Sequence, residues 1–311
     1  MILNFSKNPL RQIVGIVFWN RYNFLFFVVC AAVAFVTHHY YEFNLPPIPV
    51  SILGGALAIF LGFRNSSAYD RWWEARKVWG SVVNNSRSLG LELITYPIGS
   101  TEAHKEEIDI WRKTAILRHI AWLYALKASL RKQKVDLSQF LSENEINSIQ
   151  GKQNLPAQIL VLQGNAVEYA FEKGWIEEFR FNALIGTLKK FYDDQGKAER
   201  IKNTVFPFYY NYFTLFFLWL FTMSLPFALV GLMNSWWMIP MSILISFAFF
   251  ILNKSGVITE TPFQGTAADT PMSHICRTIE IDLLQMIDTD EAKMPSPLPT
   301  NMGRFGVEFQ D

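Results

Sequence analysis

The 311-residue chain has few of the side chains that carry chemistry. Its two cysteines, Cys30 and Cys276, stand far apart and without metal-ligand spacing. This excludes a disulfide scaffold or a thiolate metal centre and fits two unpaired thiols in a reducing compartment. Histidine is scarce too, with five in the chain. His104, His119 and His274 are scattered, and only His38 and His39, with Glu42 close by, form a group. Neighbouring histidines point apart in most backbones, so these three read as interfacial polar residues rather than as metal ligands. There is no phosphate-cradling glycine loop, no HExxH and no Ser or Cys nucleophile motif. No enzyme, metal or cofactor is expected. The formal net charge of +1 lacks the basic excess of a nucleic-acid binder.

Apolar surface is abundant. Half of the residues are hydrophobic and 15% are aromatic, an aromatic share unusual for a soluble domain, yet 18% are charged, too many for a chain that lies wholly in lipid. A protein partly in the membrane and partly in water fits both figures. Residues 1–21 place Lys7, Arg11 and Arg21 around an apolar stretch, which reads as an amphipathic helix on the inner membrane face rather than as a signal peptide. Tyr22–Thr37 is free of charge and, with its flanks, approaches the ~20 residues of a span. After a polar aromatic turn, Pro46, Pro47 and Pro49 open a second apolar run ending at Phe63, and the two runs read as a helical hairpin.

From residue 64 to 204 charge recurs and apolar residues fall at helical spacing. Helices are expected over Ile110–Leu130, Asp136–Gln150 and Ile176–Tyr192, with no strand pattern. Val205–Asn253 again lacks any charge and is long enough for two spans, with a turn near Met233–Pro240 and Trp236 and Trp237 at the interface. Pro226 is expected to break or kink the first of these. The remainder is polar, with a helix over Ser273–Asp288 and a mobile Pro-containing segment from Met294. The fold class is therefore an all-α membrane protein with four transmembrane helices in two hairpins. Its parts are an amphipathic helix and first hairpin (1–63), a helical cytosolic region (64–204), a second hairpin (205–253) and a cytosolic tail (254–311). Lys and Arg flank the first, second and fourth runs on one side, and the two short connections carry none. By the positive-inside rule both termini and the 64–204 region are cytoplasmic, in a cell inner (plasma) membrane.

The stretch that leaves the second run, "FRNSSAYDRWWEARKVWG", turns charged and aromatic at once. Ala68, Trp72, Ala75 and Trp79 share one helical face, Asp70, Glu74 and Lys77 lie on another, and Arg71 and Glu74 have the spacing of an i,i+3 pair. The second helix thus continues out of the membrane into a cytosolic bundle, unless the stretch is a juxtamembrane anchor only. Together with "SILGGALAIF" before it, and with "PFALVG" and "PFQGTAADTPM" later, this stretch resembles the bacterial members of the bestrophin family over roughly residues 10–290. Arg64, Asp70, Arg71, Trp72 and Glu74 carry the motif after the second helix.

The resemblance implies a homopentameric ion channel in membrane lipid. It would pass small monovalent inorganic ions along an axis lined by the second helices. Gly55, Ile59 and Phe63, at i, i+4 and i+8, match the family's apolar neck. Such a collar resists ions because water leaves it easily. Gly55 departs from the bulkier residue usual there, which shifts the barrier to Ile59 and Phe63. Without the resemblance, Gly54, Gly55, Ala56 and Ala58 read as residues for close helix packing. Glu178 and Phe179, in "GWIEEFRF", match a cytosolic aperture; alternatively Phe179 is core and Glu178 a surface residue. Animal relatives bind calcium through an acidic run. Here only Asp269, with Glu260 upstream, stands in that region, so no calcium activation is expected. Relatives include anion-selective and cation-selective channels. Glu178 favours cations, and Arg64 favours anions if it faces the axis. A membrane scaffold without a pore is the alternative reading.

Overall fold

The computed structural model describes residues 2–4, 9–99, 102–204, 207–233, 235–266, 269–287, 294–299, 301–302 and 308–309. Ten helices appear among them: α1 (Pro9–Trp19), α2 (Arg21–Tyr41), α3 (Pro47–Thr95), α4 (Glu102–Arg131), α5 (Glu143–Ile149), α6 (Leu155–Glu172), α7 (Glu178–Asn203), α8 (Phe208–Met233), α9 (Met238–Thr259) and α10 (Met272–Met286). Three short strands, β1 (Ile2–Asn4), β2 (Asn301–Met302) and β3 (Glu308–Phe309), pair antiparallel in the order β1-β3-β2. Strands of two or three residues are too short to leave a period-two signal, and the sequence pattern did not anticipate them.

Four helices, α2, α3, α8 and α9, are long and apolar enough to cross a membrane. The 49 residues of α3 would extend ~74 Å at 1.5 Å per residue, more than twice a ~30 Å hydrocarbon core. Pro47 and Pro49 sit in its first turn, where a missing N–H costs nothing. Its apolar half packs on α8 and α9, and its far half packs on α7 and α10. α2 also packs on α8 and α9. The link between α2 and α3 passes over the end of α8: Leu45 N–H donates to the Phe227 carbonyl at 3.1 Å. The two helices of the first apolar pair are therefore held together chiefly through the second pair. α8 runs unbroken through Pro226, and α9 continues past Lys254 to Thr259.

The buried apolar clusters follow this division, with a small one of Ala34, Val230 and Met238 where α2, α8 and α9 meet. In the apolar half, Leu57, Leu61, Leu218, Phe221 and Leu225 meet. The far half holds a larger core around Trp79, Ile116, Trp122, Phe191 and Ile279. A single helix replaces the expected Asp136–Gln150 helix only over Glu143–Ile149, because Ser142 and Glu145 form a reciprocal capping box that starts it there. Arg118 ties it to α4 through Glu145 at 2.6 Å.

His119 sits in the larger core, its Nε2 2.9 Å from Ser86 Oγ and its ring packed on Trp122 and Phe191. Burial pushes its imidazole down to about 3. The unfolded chain takes up a proton there below about pH 6.5, and the native state does not. This stabilisation is whole above pH 6.5 and is lost as pH falls toward 3. Asp269 works in the opposite sense: burial raises its carboxyl to about 6, so the native state holds that proton more readily. Its contribution is full below the unfolded value and is lost as pH rises through 6. A comparison of wild type with His119→Gln cancels the Asp269 term. Between pH 7.5 and 5, wild type should lose about 2 kcal/mol more stability than the variant. Unfolding followed by circular dichroism in detergent reads this, and equal pH dependence would show that His119 is not held neutral.

Candidate functional site

α3 divides its faces sharply. Val50, Gly54, Leu57, Leu61, Arg64 and Ala68 are buried against the rest of the protein. On the opposite side Ile59 is 62% and Phe63 69% exposed. Gly55 lies on that uncovered side, where a Cβ would meet nothing within 4 Å. Gly54 differs: a Cβ there would come within 2.6 Å of Phe221. Of the two adjacent glycines, Gly54 thus serves close packing on α8 and Gly55 does not. An apolar face with no cover in the protomer has two physical outlets, lipid or other copies of the chain.

Arg64 marks the end of the apolar part of α3. It is turned inward and is 3% exposed. Its Nη1 donates to Asn253 Oδ1 at 2.9 Å and its Nη2 to Glu260 Oε2 at 3.0 Å, both on or next to α9. Asn65 Nδ2 donates to the Leu252 carbonyl at 3.1 Å. Gly256 permits this approach, since a Cβ there would collide with Asn65 Oδ1. Arg64 therefore does not share the face of Ile59 and Phe63, and the condition under which it would favour anions is not met within this protomer.

Beyond Arg64, two of the motif residues, Arg71 and Glu74, reach α7. The i,i+3 pair expected between Arg71 and Glu74 gives way to longer-range partners: Glu74 pairs with Arg200, and Arg71 Nη2 donates to the Ile201 carbonyl. Ile201 lies in the last turn of α7, whose carbonyls have no intrahelical donor, which explains the substitution of partners. Ala68, Ala75 and Trp79 are buried and Trp72 half-buried, so the predicted packing face holds. Asp70 is exposed. Farther along, Ser81 and Asn85 donate to Asp194 Oδ2 at 3.0 and 2.8 Å and dock α3 on α7.

Glu178 and Phe179 open α7, and Phe179 is 89% exposed. Phe179 is therefore not core of the protomer. Glu178 is exposed in the first helical turn, where an acidic side chain complements the helix dipole. Among the described residues no group of three or more His, Cys, Asp or Glu is arranged to hold a metal. The two acids near the fourth span have other partners: Glu260 takes Arg64, and Asp269 accepts from the N–H groups of Gly265 and Thr270 at 2.6 and 2.7 Å. The role of Glu260 and Asn253 toward Arg64 was not read from the sequence. The one available signal was a lone asparagine near the end of a charge-free run, with the first acid just after it.

The model of the family described as bacterial/fungal bestrophin protein matches residues 13–285. The Escherichia coli K12 protein named voltage-dependent anion channel-forming protein YneE is 35% identical over 280 residues, 89% of this chain and 87% of its own. A Synechocystis protein, also named as voltage-dependent anion channel-forming, is 27% identical over 251 residues, 79% of this chain and 80% of its own. The crystal structure of a bacterial bestrophin homolog from Klebsiella pneumoniae superposes with a TM-score of 0.80 at 31% identity, over 86% of this chain and 98% of that one. The match in sequence extends over both apolar halves and the helical region between them, and it agrees with the four apolar helices and the long α3. The chain is an integral membrane protein of the bacterial and fungal bestrophin family.

Proposed function

We propose that this chain is one subunit of a homopentameric channel for small anions in the plasma membrane, with α3 from each copy lining one axis. The observation that carries the proposal is the uncovered apolar stripe on α3, formed by Gly55, Ile59 and Phe63. Five copies around an axis would turn that stripe into a neck. Its collars at Ile59 and Phe63 would hold back ions by dewetting, and the Gly55 collar would be wide. The names of the relatives support an anion as the permeant species, and the charge pattern supports cytoplasmic termini. Glu178 and Phe179 form the cytosolic aperture in this reading. Arg64 is a tie between helices and takes no part in ion selection.

The assembly is tested by the mass of the purified protein in detergent, where five copies are expected and a monomer or dimer would favour a scaffold instead. Ion choice is tested by the reversal potential across planar bilayers under a tenfold potassium chloride gradient. Wild type should reverse on the chloride side of zero. Five Glu178 carboxylates near the exit hold cations close by, so Glu178→Gln should move the reversal potential further toward chloride. An unchanged potential would remove Glu178 from the pathway. A wild type that reverses on the potassium side would overturn the anion assignment while leaving the neck in place.

A further inference from the structure

The uncovered face of α3 does not stop at Phe63. The helix is unbroken from Pro47 to Thr95, so a face set in its apolar half carries on into the helical region. At about 100° per residue, Ser66, Asp70 and Lys77 project within about 20° of Ile59, and Phe63 lies about 40° from it. All three are exposed, whereas Arg64, Ala68, Ala75 and Val78 on the other side are buried. Trp73, on the uncovered face, is 46% exposed. Asp70 thus points between the directions of Ile59 and Phe63. At 1.5 Å per residue it stands about 10 Å beyond Phe63, on the side of the helical region.

The charges nearest to it in the chain are matched elsewhere. Glu74 pairs with Arg200, Arg71 Nη2 donates to the Ile201 carbonyl, and Arg64 is held by Glu260. Among the described residues the Asp70 carboxylate has no ion pair. Lys77, the next charge along the same face, stands a further ~10 Å on. That spacing is about one Debye length at 0.1 M salt, so Lys77 offsets only part of the field around Asp70.

We propose that Asp70 sets the charge at one mouth of the neck and makes the conduit rectify. This role rests on the reading of α3 as the lining of the axis. Five carboxylates then close the apolar constriction on the side of the helical region, where they gather cations and thin out anions. Extra cations raise the cation flow away from that side. Missing anions lower the anion flow away from it. Both changes favour positive current leaving the helical region over current entering it. The sense of rectification is therefore the same whichever ion permeates, and it does not depend on the anion assignment. The collars at Ile59 and Phe63 carry no charge and produce no such asymmetry. Water and salt at the exposed carboxylates screen the ring, so it biases anion entry from that side without closing the path to anions.

Single channels of the full-length protein are recorded in planar bilayers in symmetric potassium chloride, and the currents at equal and opposite voltages are compared. Wild type should give a ratio of about two or more at about 0.1 M salt, falling close to one at about 1 M, where the Debye length is ~3 Å. Asp70→Asn should bring the low-salt ratio close to one, and Asp70→Glu should keep it. In Asp70→Cys, a negatively charged thiol reagent should impose rectification in one sense. After reduction, a positively charged reagent should impose the opposite sense in the same channel, whichever way that channel inserted. Wild type should not respond, since Cys276 is buried and Cys30 half-buried. A conducting Asp70→Asn protein with the wild-type ratio at low salt would overturn the proposal and leave the channel reading standing. So would an Asp70→Cys channel in which the two reagents act no differently than on wild type. An Asp70→Asn protein with altered oligomeric mass would overturn it as well, since Asp70 would then bind a neighbouring copy. A wild type that passes no current would overturn the channel reading and this role together.

Discussion

Replacing Ile59 and Phe63 together by alanine should raise single-channel conductance several-fold in planar bilayers. Each substitution acts five times around the proposed axis, so ten apolar side chains leave the narrowest part of the path. An apolar constriction blocks ions mainly because it dries, and widening it lets ions keep their hydration water. Gly55 makes the effect larger than it would be in a neck with three bulky collars, because no third ring stands behind the two that are removed. The exposure of Ile59 and Phe63 in the protomer makes the test clean. Neither belongs to the cores built by Leu57, Leu61 and Phe221 or by Trp79 and Trp122. The double variant should therefore fold and assemble normally, and conductance reports the pathway directly. An unchanged conductance in a correctly assembled protein would place the constriction elsewhere.

The second large effect concerns the joint between α3 and α9. Glu260→Ala should destabilise the protein by about 3–5 kcal/mol, the range for a buried charge that loses its partner. The ion pair is 3.0 Å long, and its side chains are only 3% and 8% exposed. Removing the carboxylate leaves Arg64 with the Asn253 oxygen alone, in a place water does not reach. A double variant, Arg64→Leu with Glu260→Leu, should recover much of the loss, because replacing both charges by apolar groups removes the desolvation cost as well. Unfolding half-lives in detergent at fixed temperature read the series, since a membrane protein of this size need not refold reversibly. Losses below about 1 kcal/mol in Glu260→Ala would show that water reaches Arg64 and that the joint is not a buried latch. Because α3 carries the proposed neck, a shifted joint should also change conductance, with Ile59 and Phe63 themselves intact.

The extent to which the sequence could be read varied from place to place along α3. The passage of one helix from a charge-free run into a charged one was legible, because no glycine or proline interrupts the helical spacing between Arg64 and Gly80. So was the packing face that includes Ala68, Ala75 and Trp79, whose apolar character stands out against charged neighbours. Within the apolar half this contrast vanishes. Residues that face lipid, an axis or another helix are all apolar there, and helical periodicity cannot separate them. Gly54 and Gly55 illustrate the loss: identical in composition, they point to different surroundings, and only the position of Phe221 distinguishes them.

Partners distant in the chain were out of reach for another reason. Arg71 and Glu74 suited each other by local spacing, but the end of α7 brought Arg200 and the Ile201 carbonyl into competition and won both. Arg64 and Glu260 are 196 residues apart, and each alone looked like a charge at a membrane edge. By itself, then, the amino-acid order determined how many apolar helices form, which side carries the positive residues and which side chains repeat along one face. These depend on composition and on spacing within a helix. The tertiary structure alone decided which face α3 leaves uncovered and where the Arg64 charge is neutralised. Those outcomes depend on how separate helices close on one another, and burial and pairing are settled only at that point.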